Sequence, residues 1–200
     1  AFAAGLGTLI GGIGERIQVD LALLVVDLRC EVAGEVEKLQ EAAPILVEGL
    51  RRLDRSAEGE ALTAWHLEAA IAARHAVAGS FDDTDWRSIH ELYDMLLRLR
   101  PTPVVALNRA IAVGMAEGSE AGLRAIAEIE DRDRLVRYPF LPAAMAEFEH
   151  RAGRPERAAE LLHAALQLAR NQAEEDVLRR KLRACEPVGA ATVVPGEKAL

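Results

Sequence analysis

The chain has 200 residues, half of them hydrophobic, and it carries a net charge of −8 at neutral pH. This size fits one large domain or one array of repeats, with ample apolar side chains for a core. Nucleic-acid binding draws its affinity from Lys and Arg side chains that neutralise phosphates. The excess of 32 acidic over 24 basic residues therefore argues against nucleic acid as the direct partner.

Cysteine usage and the N-terminal sequence favour a reducing, cytoplasmic setting. Cys30 and Cys185 lie far apart and form no Cys-x-x-Cys pair, which predicts neither a disulfide framework nor a zinc site. No stretch approaches the roughly 18 apolar residues of a membrane span, and the glycine-broken segment 1–14 has no basic region typical of a signal peptide. Because the chain starts on Ala1 rather than on Met, we expect a fragment or an N-terminally trimmed protein.

Apolar residues recur at helical spacing along most of the chain. After a poorly defined lead-in over 1–15, this pattern predicts a helical repeat domain over 16–184 and a mobile tail over 185–200. Strand signals are weak, so we predict an all-α fold of about eight to ten helices. The predicted helices span 16–40, 45–53, 60–78, 86–99, 104–116, 119–129, 141–152, 155–170 and 172–184.

Turn-forming and capping residues separate these helices. Pro101 and Pro103 end one helix and start the next, because proline disfavours helix before it and suits a first turn. Asp83 or Thr84 is predicted to cap the helix at 86–99 through its side-chain oxygen. Asp85 suits the positive end of the dipole of that helix.

Two helix-turn-helix units follow one another about 35 residues apart. Gly118 lies in the turn of the first unit, and its counterpart in the second is Gly153. Paired helices with a period of about 34 residues are typical of a tetratricopeptide array. We therefore predict antiparallel helix pairs that stack in a right-handed superhelix, and such a stack presents a concave groove to a partner.

Several strings carry a resemblance to a known family. Together they resemble the C-terminal tetratricopeptide-like extension of a group of bacterial extracytoplasmic-function (ECF) sigma factors, with matching order and spacing from about residue 45 to residue 182. The strings are Leu67-Glu-Ala-Ala-Ile-Ala-Ala-Arg-His-Ala76, Thr84-Asp-Trp-Arg-Ser-Ile-His-Glu-Leu-Tyr93, Pro103-Val-Val-Ala-Leu-Asn-Arg-Ala-Ile-Ala-Val113, Arg151-Ala-Gly-Arg-Pro-Glu-Arg-Ala-Ala159 and Ala165-Leu-Gln-Leu-Ala-Arg-Asn171.

The resemblance implies a regulatory, protein-binding domain that modulates transcription initiation. Its implied partners are proteins, namely the sigma regions, core RNA polymerase or a signalling protein, and no membrane is implied. The family's polymerase-binding and promoter-reading regions should precede this segment, yet nothing in residues 1–44 resembles them. The Asp-Gln-Asp-Arg string that the family usually carries before its Trp is also not visible. We therefore expect this chain not to bind promoter DNA by itself.

Two other functions remain open on the sequence. The first is a free-standing tetratricopeptide-like scaffold that binds a peptide or helix in its groove without any role in transcription. The second is an α-helical enzyme or small-ligand protein, which would need a deep cavity where several titratable groups converge.

Five residues are candidates for the partner-binding groove. Asn108 and Arg109 interrupt an otherwise apolar helix, and a polar pair there must be hydrogen-bonded or leave the core. In one interpretation Asn108 bonds to a neighbouring helix and Arg109 pairs with an acid such as Asp94. In the other, both face the groove and hold a partner's backbone or carboxylate. The full candidate set is Trp65, His75, Tyr93, Asn108 and Arg109.

The sequence predicts no catalytic, cofactor or metal site. The histidines lack the paired spacing of a metal site, and His75 in its Ala-rich setting is interpreted as a packed helix residue. The Asp82, Asp83 and Asp85 cluster lacks the Gly and distal Glu of a calcium loop, so helix capping is the preferred interpretation. No nucleophile elbow, phosphate loop or dinucleotide fingerprint is present in the sequence.

Overall fold

A computed structural model describes residues 62–78, 80 and 82–185, and the regular elements in that part are all helical. The all-α prediction is thus confirmed for these residues. The predicted lead-in at 1–15, the helices at 16–40 and 45–53, Cys30 and the tail after Cys185 lie outside the described residues. The helices are α1 Ala64–Val77, α2 Trp86–Leu99, α3 Pro103–Glu117, α4 Ser119–Ala127, α5 Phe140–Arg151, α6 Pro155–Leu168 and α7 Gln172–Cys185, with a 3-10 turn at Arg132–Leu135.

The helix boundaries lie close to those predicted from the sequence. The predicted span 86–99 coincides with α2, α3 and α5 differ by one residue at each end, and α7 differs by one residue at its end. Helix α4 ends at Ala127 rather than at residue 129, although Ile129 is still buried. An apolar residue can continue a helical pattern after the backbone has left the helix, so periodicity alone overestimates such ends.

The start of α2 corrects the predicted cap. Asp85, not Asp83 or Thr84, holds the N-cap position, and its Oδ1 accepts a hydrogen bond from the Ser88 amide at 3.0 Å. Asp83 instead accepts a hydrogen bond from the Ser80 hydroxyl, and Thr84 donates to the Ser80 carbonyl. The three neighbouring side chains all carry a capping oxygen, so only the loop geometry decides which one caps.

Each helix packs chiefly against the helices before and after it in the chain, and α3 also reaches α5. The buried side chains form three successive core clusters. The first joins α1, α2 and α3, the second joins α3, α4, α5 and the 3-10 turn, and the third joins α5, α6 and α7. Helices α3 and α5 therefore each contribute to two cores. The free thiol of Cys185 is buried at the end of the third.

Two glycine turns mark equivalent places in this succession. Gly118 joins α3 to α4 with φ of 102°, and Gly153 lies between α5 and α6 with φ of 76°. Side chains rarely tolerate such positive φ values, so glycine is the favoured residue where a helix ends this way. The two glycines that were predicted to correspond therefore share a positive φ at a helix end.

Helices α3 and α4 cross closely at two further glycines, one before and one after Gly118. A Cβ added to Gly114 in α3 would lie 2.9 Å from the Cα of Gly122 in α4, and 2.2 Å from Cζ of Phe148 in α5. A Cβ added to Gly122 would meet the same ring at 2.6 Å. The two glycines allow α3 and α4 to approach closely, and the Phe148 ring fills the space above both.

Within the described part of the chain, no helix has both the length and the apolar character needed to cross a bilayer.

Candidate partner-binding surface

The five candidate groove residues divide by burial. Asn108, His75 and Tyr93 have only 1%, 3% and 3% of their surface exposed, whereas Trp65 is 47% exposed. The side chain of Arg109 is 34% exposed. In the folded chain, Trp65 and Arg109 are therefore the two members of the set that a partner can reach.

Tyr93 and His75 are packing residues of the first core. Burial raises the pKa of the Tyr93 hydroxyl well above its ordinary value, and the negative charge of Glu68 raises it further. The hydroxyl is therefore protonated at physiological pH. The His75 ring packs edge-on against Trp86, with ring centroids 5.3 Å apart, which agrees with the interpretation of His75 as a packed helix residue.

Arg109 connects α3 to α2, as one of the two interpretations of the sequence proposed. Its Nε donates to Oδ1 of Asp94 at 2.5 Å, while Oδ2 of Asp94 lies 3.7 Å from Nε2 of His90. A guanidinium has five N–H donors. Since this bond uses only one of them and the side chain is about one-third exposed, Arg109 keeps donors that a partner can engage.

Trp65 lies beside an ion pair that the sequence analysis missed. The Arg100 guanidinium lies 5.7 Å from the centre of the Trp65 ring, and its Nη1 donates to Oε1 of Glu68 at 2.7 Å. Arg100 follows the last turn of α2, whereas Trp65 and Glu68 are three residues apart on α1. Their spacing shows that Trp65 and Glu68 share one face of α1. The pairing with Arg100 could not be predicted from spacing, because it depends on how α1 packs against α2.

Further ion pairs cross the other helix junctions. Arg154, in the α5–α6 turn, pairs with Glu149 of α5 and with Glu120 of α4. In α5, Glu147 accepts from Arg151 at 2.7 Å and from Lys181 of α7 at 3.0 Å. These pairs connect α4, α5 and the α5–α6 turn, and they connect α5 to α7.

The electrostatics of Glu147 favour its ion pairs with Arg151 and Lys181 despite the burial of its carboxyl group. Burial by itself raises the pKa of this carboxyl group, but the attraction of Lys181 and the hydrogen bonds from Arg151 and Lys181 outweigh it, so the pKa lies below its ordinary value. Glu147 is therefore ionised at neutral pH and bound on two sides.

The described histidines and acids do not come together as a metal site. Within residues 62–185, as far as they are described, no group of three or more His, Cys, Asp or Glu side chains is arranged to hold a metal ion. His66 has a structural role, since its Nδ1 accepts from the Thr63 amide at the start of α1. In α6, Nδ1 of His163 lies 2.8 Å from the carbonyl oxygen of Ala159.

Comparison with known proteins shows one informative similarity. The chain is 36% identical over 157 residues to Uncharacterized protein R00370 of Rhizobium meliloti (strain 1021), and the match takes in 78% of this chain. The matched part makes up 36% of the relative, so the chain spans about a third of that protein's length. No family model and no solved structure match the chain.

Proposed function

We propose that this chain is a regulatory, protein-binding domain of an ECF-type sigma factor. It modulates transcription initiation through contacts with the sigma regions, core RNA polymerase or a signalling protein. The observation that carries the proposal is the repeated helix–glycine–helix unit, with Gly118 and Gly153 in corresponding turns, in the part of the sequence that resembles that family.

The succession of helices supports a tetratricopeptide-like arrangement. Each helix packs on its chain neighbours, and α3 and α5, the first helices of the two units, are each shared between adjacent cores. In repeat proteins this sharing buries a continuous core while leaving extended surfaces for a partner. A partner-binding role follows from such a surface without any catalytic group.

A surface suited to a protein partner lies on α1 and α2. Trp65 stacks with Arg100 and is 47% exposed, and Trp and Arg are the residue types most enriched in interface hot spots. Other large apolar side chains exposed on or next to these helices are Leu62, Met95 and Leu99, and Val77 is exposed at the far end of α1. We name Leu62, Trp65, Met95, Leu99 and Arg100 the α1–α2 surface.

The length of the relative is compatible with this proposal. About two-thirds of the R. meliloti protein lies outside the match, which is room for polymerase-binding and promoter-reading regions. The coding sequence upstream of Ala1 discriminates between the candidates. A sigma region 2 and a helix-turn-helix region 4 there would support the sigma-factor role, and their absence would leave the free-standing scaffold, which the same α1–α2 surface would serve.

Reconstituted transcription tests the regulatory role directly. The complete protein is compared with a version that lacks residues 62–185, using core polymerase and a promoter that the complete protein recognises. We expect the deletion to change the amount of transcript or its dependence on a partner protein. Equal transcript from both versions, with and without cell extract, would rule out regulation by this domain.

A further inference from the structure

A cleft formed by residues between 134 and 170 has the character of an anion site. It lies between the segment that follows the 3-10 turn and the loop that joins α6 to α7, and its volume is about 590 Å³. Three arginines line it, together with an aromatic ring, an amide and two apolar residues. The polar and aromatic lining consists of Arg134, Arg137, Tyr138, Gln167 and Arg170.

The charge of this cleft contrasts with that of the whole chain. The protein carries a net charge of −8, yet none of the residues that line the cleft is acidic. Asp131 and Asp133 are on or next to the 3-10 turn but do not line the cleft. All three arginines are exposed, and their like charges produce a positive potential that attracts an anion to the cleft.

Within the part of the chain that the structure describes, two of the three cleft arginines lack the carboxylate partner that holds the arginines at the helix junctions. Arg100, Arg109 and Arg154 are each bonded to a carboxylate of another helix or turn. Among the described residues, no carboxylate pairs with the guanidinium groups of Arg137 and Arg170. Arg134 lies 3.9 Å from Asp131, but both side chains are 72% exposed, and such surface pairs contribute little and exchange readily.

The guanidinium of Arg170 lies against an aromatic ring and forms no ion pair with a described carboxylate. Its guanidinium lies 5.8 Å from the centre of the Tyr138 ring, and its backbone amide donates to Oε2 of Glu174 at 2.7 Å. Stacking on an aromatic face orients a guanidinium and leaves its in-plane N–H donors available. Among the described residues, no acceptor bonds the guanidinium of Arg170, so its N–H donors are available to a ligand.

We propose that this cleft binds a phosphate group. The planar fork of arginine matches phosphate oxygens in bidentate geometry, and the phosphate carries nearly two negative charges at neutral pH. Three arginines balance that charge better than they balance a single carboxylate. The phosphate belongs either to a phosphorylated side chain of a peptide or to a small phosphorylated molecule. Neither source depends on the transcription role proposed above.

Calorimetry on the 200-residue chain tests the proposal. The probes are inorganic phosphate, a phosphoserine peptide, adenosine monophosphate and acetate. The variants Arg137→Gln and Arg170→Gln each remove one guanidinium from the cleft. Arg98→Gln is the matched control, since Arg98 is an exposed arginine of α2 that does not line the cleft. Circular dichroism shows whether each variant keeps the helical content of the parent chain.

We expect saturable binding of at least one phosphate probe, weakened about tenfold or more by either cleft variant, as loss of a charge-assisted hydrogen bond predicts. Arg98→Gln should bind like the parent chain. Tighter binding of the peptide than of the nucleotide would identify a phosphoprotein as the source, and the reverse order a small molecule.

Three results would overturn the proposal. They are the lack of saturable binding of every phosphate probe, an equal loss of affinity in Arg98→Gln, and acetate binding as tight as that of the best phosphate probe. If the cleft variants lose helical content, the milder Gln167→Leu variant is measured instead. Undiminished affinity in a folded Gln167→Leu chain then counts against the cleft as the site.

Discussion

At the start of α2, three neighbouring residues carry oxygens able to cap a helix, and Asp85 is the one that does so. Replacing Asp85 with Ala leaves the Ser88 amide without its acceptor, so we expect the free energy of unfolding to fall by about 1 kcal/mol. Asp83→Ala is the matched control and should change it by less than about 0.5 kcal/mol. Urea denaturation of both variants measures the difference, and an equal loss in the two would argue against Asp85 as the dominant cap.

Trp65 is the residue whose replacement should affect partner binding most. Removing a hot-spot tryptophan typically costs 2 kcal/mol or more, so under the proposed function Trp65→Ala should weaken binding to the proposed protein partner by roughly 30-fold. Val136, which is 62% exposed outside the α1–α2 surface, supplies the control variant Val136→Ala. Surface plasmon resonance with purified core polymerase and sigma regions measures both. Unchanged affinity for Trp65→Ala would place the interface elsewhere.

The sequence predicted individual residues of the candidate surface unevenly. Of the two interpretations of Arg109 that the sequence left open, one paired it with an acid such as Asp94, and the structure contains that pair. His75 is packed, as its Ala-rich setting indicated. The burial of Tyr93 was not predictable as such, because a helical pattern identifies a face but not the neighbour that covers it. Arg100 and the arginine cleft were missed because their members come together only through helix packing.

At the scale of the helices, the crossing of α3 and α4 depends on two glycines under one aromatic ring. Gly114→Ala would insert a methyl group into the Phe148 ring. Such overpacking costs about 1–3 kcal/mol, and the better helix propensity of Ala offsets about 0.5–1 kcal/mol of it. We expect a net loss of about 1–2 kcal/mol in thermal or chemical denaturation.

A double-mutant cycle separates this clash from a general effect of the substitution. Phe148→Leu removes the ring, so Gly114→Ala should cost less in a Phe148→Leu background than in the parent chain. Because the added methyl also approaches Gly122, the rescue should be partial. Strictly additive effects of the two substitutions would show that the ring is not the source of the loss.

The tie between α5 and α7 predicts a pH-dependent contribution to stability. The pKa of Glu147 is lower in the folded chain than its ordinary value of 4.5, so ionised Glu147 stabilises the fold above that pH. The contribution is lost as pH falls through the lower, folded-state pKa. Glu147→Gln should therefore cost about 1–2 kcal/mol at pH 7 and progressively less in acid.

Urea denaturation at several pH values measures this effect. Glu160→Gln is the control, since the pair of Glu160 with Arg157 in α6 is more than half exposed and should contribute less than about 1 kcal/mol. A Glu147→Gln penalty that stays constant from pH 7 to the acid limit would contradict the assigned role of its charge.

Helix positions were the most predictable part of the fold. Amphipathic spacing, Pro103 at a helix start and glycines at helix ends carry local information, which explains why the spans of α2 to α7 agree with prediction within two residues at each end. The start of α1 at Ala64 and the end of α4 were less predictable, because apolar residues such as Leu62 and Ile129 extend the pattern beyond the helix.

At the scale of the whole molecule, the three successive cores within residues 62–185 predict uneven stability along that part of the chain. Leu178 is fully buried in the third core, and Leu178→Ala should destabilise that core by about 2–4 kcal/mol. In a quasi-linear array the loss stays near its source. Hydrogen exchange should therefore accelerate in α6 and α7 and change little in α1 and α2. Equal acceleration in all helices would indicate a single cooperative unit instead.

Helix α5 supplies Leu141, Ala144 and Phe148 to the second core and Ala143 and Ala146 to the third. The twelve residues of α5 therefore pack into two different cores. Few positions in this helix can be substituted without affecting the packing of one core or the other. Among the described residues, helix α7 contributes to the third core alone. In a library of random variants selected for folding, sequence diversity should consequently be lowest in α3 and α5, which each contribute to two cores, and higher on the solvent side of α7.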